Sequence, residues 1–215
     1  MNDFFLFKYA PQILNYTLQH LFLVSISISI ALLVGIPLGI LVTRKPAWKT
    51  PILGLANIVQ TIPSLAIFGF FISVPFIGGI GARTAIIALT LYSLLPIIRN
   101  TYTGITGVDP AIREAGRGIG MTDKQLLLRV EIPLAMGVIL AGVRVATVIA
   151  VGIATIAAAI GAGGLGTFIF QGISMVNNQL ILAGAIPAAV LALVADFAIG
   201  LLEQRLTRKG AVKPS

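Results

Sequence analysis

The chain of 215 residues is 57% hydrophobic and only 10% charged, with a mean hydropathy of +1.01. Soluble domains carry about 25% charged residues, so this composition excludes a water-soluble core and predicts an all-α, polytopic membrane protein. The net charge of +8 does not indicate a nucleic-acid partner, because the basic residues lie at the ends of apolar runs, and the lack of cysteine excludes disulfides and thiol chemistry.

Apolar segments taken in chain order predict about five membrane spans, since about 20 apolar residues cross a bilayer. Residues 1–17 are interpreted as an extracytoplasmic or interfacial segment, 18–206 as the transmembrane domain and 207–215 as a cytoplasmic tail. Small residues in the first span are expected to permit close helix packing. The five spans are predicted at Leu18–Val42, at Ile52–Phe76, from Arg83 to Arg99 with an extension past one or both arginines, at 134–160 and at Leu180–Leu202.

The second span contains Pro63, which is expected to kink the helix and to free a backbone carbonyl. Three polar residues flank this kink: Gln60, Thr61 and Ser64. Polar groups beside a broken helix can line a translocation pathway or can bond to neighbouring helices. The sequence leaves both interpretations open, and we keep these residues as candidates for the pathway.

Residues 109–133 form the longest charge-rich stretch of the chain. Asp109-Pro110 is typical of a helix start, with a capping carboxylate and proline at the first helical position. The first helix is predicted over Ala111–Arg117, and two glycines are expected to end it, Gly118 and Gly120. A loop that concentrates polarity in so apolar a chain predicts contact with a soluble partner.

A second helix is predicted to follow within the same stretch. Thr122, with Gln125 three residues later, has the spacing of a capping box. This helix would reach Pro133, where the apolar sequence resumes. The loop is therefore predicted to fold as two short helices separated by a glycine hinge, and a solvated amphipathic connector is the alternative.

Between Arg144 and Asp196 the chain carries no charge over 51 residues. This region contains GAGGLG at 161–166, which is only a weak dinucleotide fingerprint because it follows a membrane helix rather than a strand. We expect a flexible break at the far membrane face there, followed by a polar stretch at 171–179. His20, in the first span, is expected to be a hydrogen-bonded or interfacial residue rather than a ligand.

The basic residues predict the orientation. If the loop after the first span, the long loop and the tail share one side, twelve of the fifteen positive charges lie together, and the positive-inside rule makes that side cytoplasmic. The N-terminus is then outside, the C-terminus inside, and Lys8 and Arg83 lie on the other side. The twelve are Arg44, Lys45, Lys49, Arg99, Arg113, Arg117, Lys124, Arg129, Arg205, Arg208, Lys209 and Lys213.

Arg144 and Asp196 remain as charges within predicted spans. At 1.5 Å per residue, both lie roughly 14–20 Å from the predicted cytoplasmic face. Opposite charges at similar depth on consecutive antiparallel helices are expected to pair, because an isolated charge there is costly. A structural ion pair is the favoured interpretation, and a gate or a contact with solute is the alternative.

EAGRGIG, nine residues, then VEIP resembles the cytoplasmic signature of ABC importer permeases, which is Glu-Ala-Ala, three residues, Gly, nine residues, Ile-x-Leu-Pro. The chain departs from it mildly, with Gly116, Val130 and Ile132 in place of Ala, Ile and Leu. In that family the loop docks a short helix into a groove of the ATP-hydrolysing subunit. The resemblance therefore implies that ATPase coupling involves Arg113, Glu114, Ala115, Gly116, Gly118, Gly120 and Pro133.

The resemblance extends over nearly the whole chain. VGIPLGILVTR, QTIPSLAIFGF, LYSLLPIIRNTYTGI and IGAGGLGTFIFQGI are similar to permeases for osmoprotectants such as glycine betaine, carnitine and choline. The family implies a type I ABC importer permease fold in a prokaryotic inner membrane, a second permease chain, two ATPase subunits and an extracytoplasmic binding protein. No GxxxxGK[ST] phosphate loop is present, so no cofactor is expected on this chain and ATP belongs to the partner.

Two alternatives remain open at this stage. A permease for another small solute, such as methionine, would differ only in cargo, since related amino-acid permeases also contain GAGGLG. An ATP-independent channel or secondary carrier would transport without an ATPase, but no inverted repeat is evident and few ionisable groups are available for ion coupling. An enzyme is not expected, because no nucleophile–base set or metal cluster stands out.

Overall fold

The computed structural model describes residues 9–75 and 78–210, except the side chains of 208–210. Within these ranges the chain is helical and contains no strand, so the all-α expectation is confirmed there. A 3-10 turn (Pro46–Trp48), a π-helical turn (Leu127–Glu131) and a second 3-10 turn (Ala158–Ile160) join or extend the helices. The helices are α1 (Ala10–Arg44), α2 (Lys49–Thr61), α3 (Ser64–Ile72), α4 (Ala82–Thr106), α5 (Pro110–Gly118), α6 (Asp123–Leu126), α7 (Ile132–Ala157), α8 (Gly166–Ser174) and α9 (Asn178–Gly210).

Four helical segments in the described part are long and apolar enough to cross a membrane. Three of them are α1, α4 and most of α9, and the fourth runs from Asp123 to Ile160 through α7. A fifth crossing arises if α2 and α3, with the short turn before them, count as one span. The number of spans therefore agrees with the predicted five.

The bend between α2 and α3 is much sharper than the predicted kink. The two helices are inclined by 98°, and Ile62 and Pro63 adopt extended backbone angles between them. Proline lacks an N–H and disfavours the helical conformation of the residue before it, so the helix ends at Thr61 and restarts at Ser64. The predicted kink at Pro63 is therefore a break that separates two helices. The predicted last residue of the second span, Phe76, lies outside the described residues.

The first helix begins eight residues before the predicted start of the first span. Pro11 lies in its first turn, where a missing N–H has no cost, so it starts the helix rather than interrupting it. Within the predicted interfacial segment, 10–17 are therefore part of α1, and 1–8 lie outside the described residues. At the other end of the chain, α9 continues past Leu202, the predicted end of the fifth span, to Gly210. Residues 211–215 of the predicted tail lie outside the described residues.

The centre of the bundle is formed by α1, α4 and α7, which approach closely at small residues. A Cβ atom at Gly35 would lie 2.8 Å from the Ile97 side chain, and one at Gly39 would lie 2.5 Å from Cβ of Thr101. Close backbone approach at small residues is how membrane helices gain packing energy. As predicted, α4 extends past both Arg83 and Arg99, and this leaves enough length for a crossing.

The glycine-rich segment after α7 forms a turn at the predicted break between helices, and its flexibility stays a prediction. Gly161, Gly163 and Gly164 have φ of 74°, 79° and 80°, a left-handed conformation that glycine adopts without steric cost. Gly164 N–H donates to the Gln19 side chain of α1 at 3.0 Å. Helix α8 follows the turn and includes the first residues of the predicted polar stretch. His20 is buried, with Nε2 3.1 Å from the Val151 carbonyl oxygen, as expected of a hydrogen-bonded histidine.

Candidate functional site

The charged loop folds as two helices with the predicted caps. The Asp109 carboxylate accepts a hydrogen bond from the Ala111 N–H at 2.8 Å, and α5 begins at Pro110. In the second helix, the Thr122 hydroxyl accepts from the Gln125 N–H and the Gln125 side chain accepts from the Thr122 N–H. These side chains satisfy backbone donors that a helix start leaves without partners. The two-helix prediction is confirmed.

The turn between the two helices depends on one glycine rather than two. Gly120 has φ of 83°, whereas Gly118 is the last residue of α5 and has no positive φ. The Met121 N–H donates to the Gly116 carbonyl at 3.1 Å and the Gly120 N–H to the Arg117 carbonyl at 2.9 Å. This pair of bonds is the Schellman arrangement, which requires a left-handed residue at the position of Gly120. The expectation that Gly118 also makes the turn is corrected.

Helix α5 presents one face to the protein and the other to the surroundings. Gly116 is buried, and a Cβ atom there would lie 2.8 Å from the Leu126 side chain. The Arg113 guanidinium turns inward and donates to the carbonyl oxygens of Val108 (2.8 Å) and Thr106 (3.4 Å) at the end of α4. The negative end of the α4 helix dipole stabilises a cation at this position. Glu114 and Ala115 point outward and are exposed.

The loop joins the following span without a break at Pro133. After α6 the chain makes the π-helical turn, and Pro133 lies in the first turn of α7. Because proline cannot donate to the carbonyl four residues earlier and its ring crowds that group, the preceding turn widens instead of ending. Pro133 therefore marks the entry to the fourth span, as predicted, but the second loop helix and the span are continuous.

A buried ion pair at this entry was not predicted from the sequence. Glu131 ends the π-helical turn with 1% of its side chain exposed, and both carboxylate oxygens accept hydrogen bonds from the Arg44 guanidinium at the end of α1. A signal for its burial existed, since Glu131 shares a face with Ala135 and Ile139, which follow at intervals of four and are also buried. That pattern places a carboxylate on the apolar face of the helix.

The break between α2 and α3 is held against α4 by two reciprocal hydrogen bonds. The Tyr92 hydroxyl donates to the Ile62 carbonyl, whose usual helical donor, the Ala66 N–H, bonds to Pro63 instead. In return, the Gln60 amide donates at 2.9 Å to the Tyr92 carbonyl. That carbonyl lacks its helical donor because Pro96 lies four residues later. One carbonyl is left free by the helix break at Pro63 and the other by the missing N–H of Pro96, and a side chain of the other helix satisfies each of them.

Removing the Tyr92 hydroxyl is expected to destabilise the protein. Tyr92→Phe removes the side-chain donor of the Ile62 carbonyl, and the net loss of such a hydrogen bond costs about 0.5–1.5 kcal/mol. We expect the melting temperature of the detergent-solubilised protein to fall by several degrees. Tyr102→Phe is the matched control, because the ring of Tyr102 contacts the Lys49 ammonium at 4.6 Å and that contact survives the change. Equal stability of the two variants would contradict a role for the Tyr92 bond.

Of the other pathway candidates, Thr61 also bonds within the protein, to the Ile58 carbonyl at 2.7 Å, while Pro63 is exposed and Ser64 is half-buried. Their contact with solute stays a prediction.

The structure joins Arg144 and Asp196 directly. Arg144 Nε lies 2.5 Å from Asp196 Oδ1, and its terminal nitrogen lies 2.6 Å from Oδ2, so the guanidinium engages both carboxylate oxygens. A third charge, Glu203, lies 4.0 Å from Arg144 on the same face of α9. Among the described residues, no hydrogen bond or ion pair connects this cluster to the charged loop or to the α2–α3 break. No group of three His, Asp or Glu in the described part is placed to bind a metal.

Comparison with known proteins gives a consistent result over most of the chain. Residues 35–208 match the family model described as binding-protein-dependent transport system inner membrane component. The chain is 50% identical to the carnitine transport permease protein OpuCB of Listeria monocytogenes over 90% of its own length and 87% of that protein. It is 47% identical to the osmoprotectant import permease protein OsmW of Salmonella typhimurium, covering 94% of each chain. The choline transport system permease protein OpuBB of Bacillus subtilis is 44% identical over 96% of this chain and 94% of that one.

Solved structures agree in fold. An inward-facing structure of the MetNI methionine ABC transporter superposes with a TM-score of 0.82 at 23% identity, covering 91% of this chain and 96% of that chain. An amino acid ABC transporter superposes with a TM-score of 0.72 at 21% identity, covering 97% and 100%. At such identities the likeness establishes the permease fold, and it carries no information about the solute.

Proposed function

The chain belongs to the family of binding-protein-dependent transport system inner membrane components, and we propose that it translocates an osmoprotectant such as glycine betaine, carnitine or choline. It is a multi-pass inner-membrane transport subunit. The observation that carries the solute class is the extent of identity with permeases of that class, which covers the spans as well as the loop. The solved structures share the fold only and do not favour methionine.

Energy is proposed to come from two copies of a separate ABC ATPase subunit. The supporting observation is the outward face of α5, where Glu114 and Ala115 are exposed while Gly116 and Arg113 attach the helix to the protein. The small side chain of Ala115 permits close approach of the ATPase subunit, and the charge of Glu114 orients the contact between the two subunits. ATP then binds on the partner, and no cofactor is assigned to this chain.

The remaining partners and the orientation complete the proposal. A second permease chain, identical or paired, lies beside this one, and a binding protein delivers solute from outside. The N-terminus lies outside, and the C-terminus and the α5–α6 loop lie in the cytoplasm, as the distribution of basic residues favours. The exposed parts of the α2–α3 break, with Thr61, Pro63 and Ser64, are candidates to face the pathway.

The proposed mechanism is alternating access. Closure of the ATPase dimer moves the two α5 helices towards each other. Two contacts pass this movement on: Arg113 holds the end of α4, and Gly116 packs on Leu126 at the start of the segment that becomes α7. Rocking of these central helices opens the pathway outward to accept solute, and ATP hydrolysis returns it to the inward-facing state.

Reconstitution tests the proposal. The chain is inserted into liposomes with its ATPase and binding protein, and uptake of labelled glycine betaine, choline, carnitine and methionine is measured with and without ATP. We expect ATP-dependent uptake of at least one quaternary amine and none of methionine. Uptake by the chain alone, without ATPase, would identify a channel or carrier and contradict the proposal. Uptake of methionine alone would correct the solute class.

A further inference from the structure

The Arg44–Glu131 pair joins two parts of the chain that are 87 residues apart, at the end of the bundle that carries the charged loop. Arg44 is the last residue of α1, and Glu131 is the last residue of the π-helical turn between the loop and α7. The Glu131 side chain is almost fully buried, whereas the Arg44 side chain is 35% exposed. Because both Glu131 carboxylate oxygens accept hydrogen bonds from the Arg44 guanidinium, the pair fixes the relative orientation of the two segments as well as the distance between them.

An apolar layer lies directly behind this pair. Ile36 and Ile40 of α1 pack against a buried cluster of Ile105, Ala135 and Ile139, and Leu127 of the π-helical turn joins them. The ends of α1, α4 and α7 therefore form one packed unit. The ion pair is the polar link between α1 and the segment that leaves the loop.

The loop helix is attached to the same unit at two points. Arg113 bonds to the end of α4, and Gly116 contacts Leu126, five residues before Glu131. A movement of α5 thus reaches α4 through Arg113 and the π-helical turn through Leu126. Helix α1 has no direct contact of this kind with α5 among the described residues. Its links to the loop pass through α4, on which Gly35 and Gly39 pack closely, and through the ion pair with Glu131, which is the polar link.

We infer that Glu131 and Arg44 are positioning residues for energy coupling, which carry the movement of the loop helix to α1. This inference rests on the proposed function. Such a link has to resist reorientation, and a bidentate ion pair with a buried carboxylate does so more strictly than apolar contact, which allows sliding. The π-helical turn supports it, since these turns are frequent at functional sites.

The experiment replaces the pair by apolar side chains. Removing one partner alone leaves a buried charge without compensation, which is strongly destabilising, whereas replacing both by apolar groups is often neutral for stability. We therefore use the double variant Arg44→Met with Glu131→Leu in the reconstituted complex. The measurements are assembly with the ATPase, basal ATP hydrolysis and solute uptake per ATP hydrolysed. Lys45→Gln, at an exposed neighbouring residue, is the control for loss of a positive charge.

We expect the double variant to assemble and to hydrolyse ATP at the basal rate, while uptake per ATP falls about tenfold, within the range typical of coupling between sites. The control should resemble wild type. Uptake per ATP equal to wild type would overturn the inference, and so would failure to assemble, because the pair would then serve folding. Absence of uptake by the wild-type complex itself would instead contradict the proposed function, so the two failures are distinguishable.

Discussion

Glu114→Lys is expected to lower coupling to the ATPase strongly while leaving membrane insertion intact. The carboxylate lies on the outward face of α5, and no ion pair joins it to another described residue, so its replacement leaves the internal contacts of the loop unchanged. If that face docks into the ATPase, reversing the charge places a repulsive group in the contact. We expect recovery of the ATPase in co-purification and solute-stimulated ATP hydrolysis to fall by about tenfold or more.

Two variants make this result specific. Glu114→Gln removes the charge without adding the opposite one, and its loss of coupling should be intermediate. Asp123→Lys makes the same reversal in α6, at a side chain that is 83% exposed and pairs loosely with Arg117 at 3.7 Å. Because exposed pairs contribute little, we expect a much smaller effect there. Equal effects of the two reversals would point to net charge rather than to docking by α5.

Local signals explain why the loop could be predicted in detail. A cap joins residues two or three positions apart, so Asp109 and the Thr122–Gln125 box could be identified without knowing any tertiary neighbour. Gly118 is the exception. The sequence offered two glycines for one turn, and only the backbone shows that Gly120 alone adopts the left-handed conformation.

The features that were missed depend on partners far along the chain. The chain bends by 98° at Pro63, and the Ile62 carbonyl within this break accepts a hydrogen bond from the Tyr92 hydroxyl, 30 residues away. Nothing near Pro63 in the sequence indicates that partner. The spacing of Glu131 with Ala135 and Ile139 indicates that this carboxylate is buried, but nothing near it in the sequence identifies its partner, Arg44, 87 residues away. In contrast, Arg144 and Asp196 could be matched from depth alone, since few charges lie within the spans.

Asp196→Asn is expected to impair folding and transport strongly. The change leaves the Arg144 cation within a span without its bidentate partner, and Glu203 at 4.0 Å is too distant to replace those bonds. Adding Arg144→Gln removes the uncompensated charge, and the two amide side chains can bond to each other. We therefore expect the double variant to recover most of the folded protein, measured by size-exclusion chromatography, and most of the uptake.

The double variant also separates a structural ion pair from a gate or a solute contact. If the pair only holds α7 and α9 together, neutral side chains replace it and uptake returns with folding. If the charges act on the solute or open the pathway, the double variant folds but does not transport. Glu203→Gln is the matched control, because it makes the same carboxylate-to-amide change on the same face of α9 at the longer distance from Arg144. Its uptake should stay near wild type, and a loss equal to that of Asp196→Asn would show that the whole acidic face of α9, rather than the bidentate pair, is required.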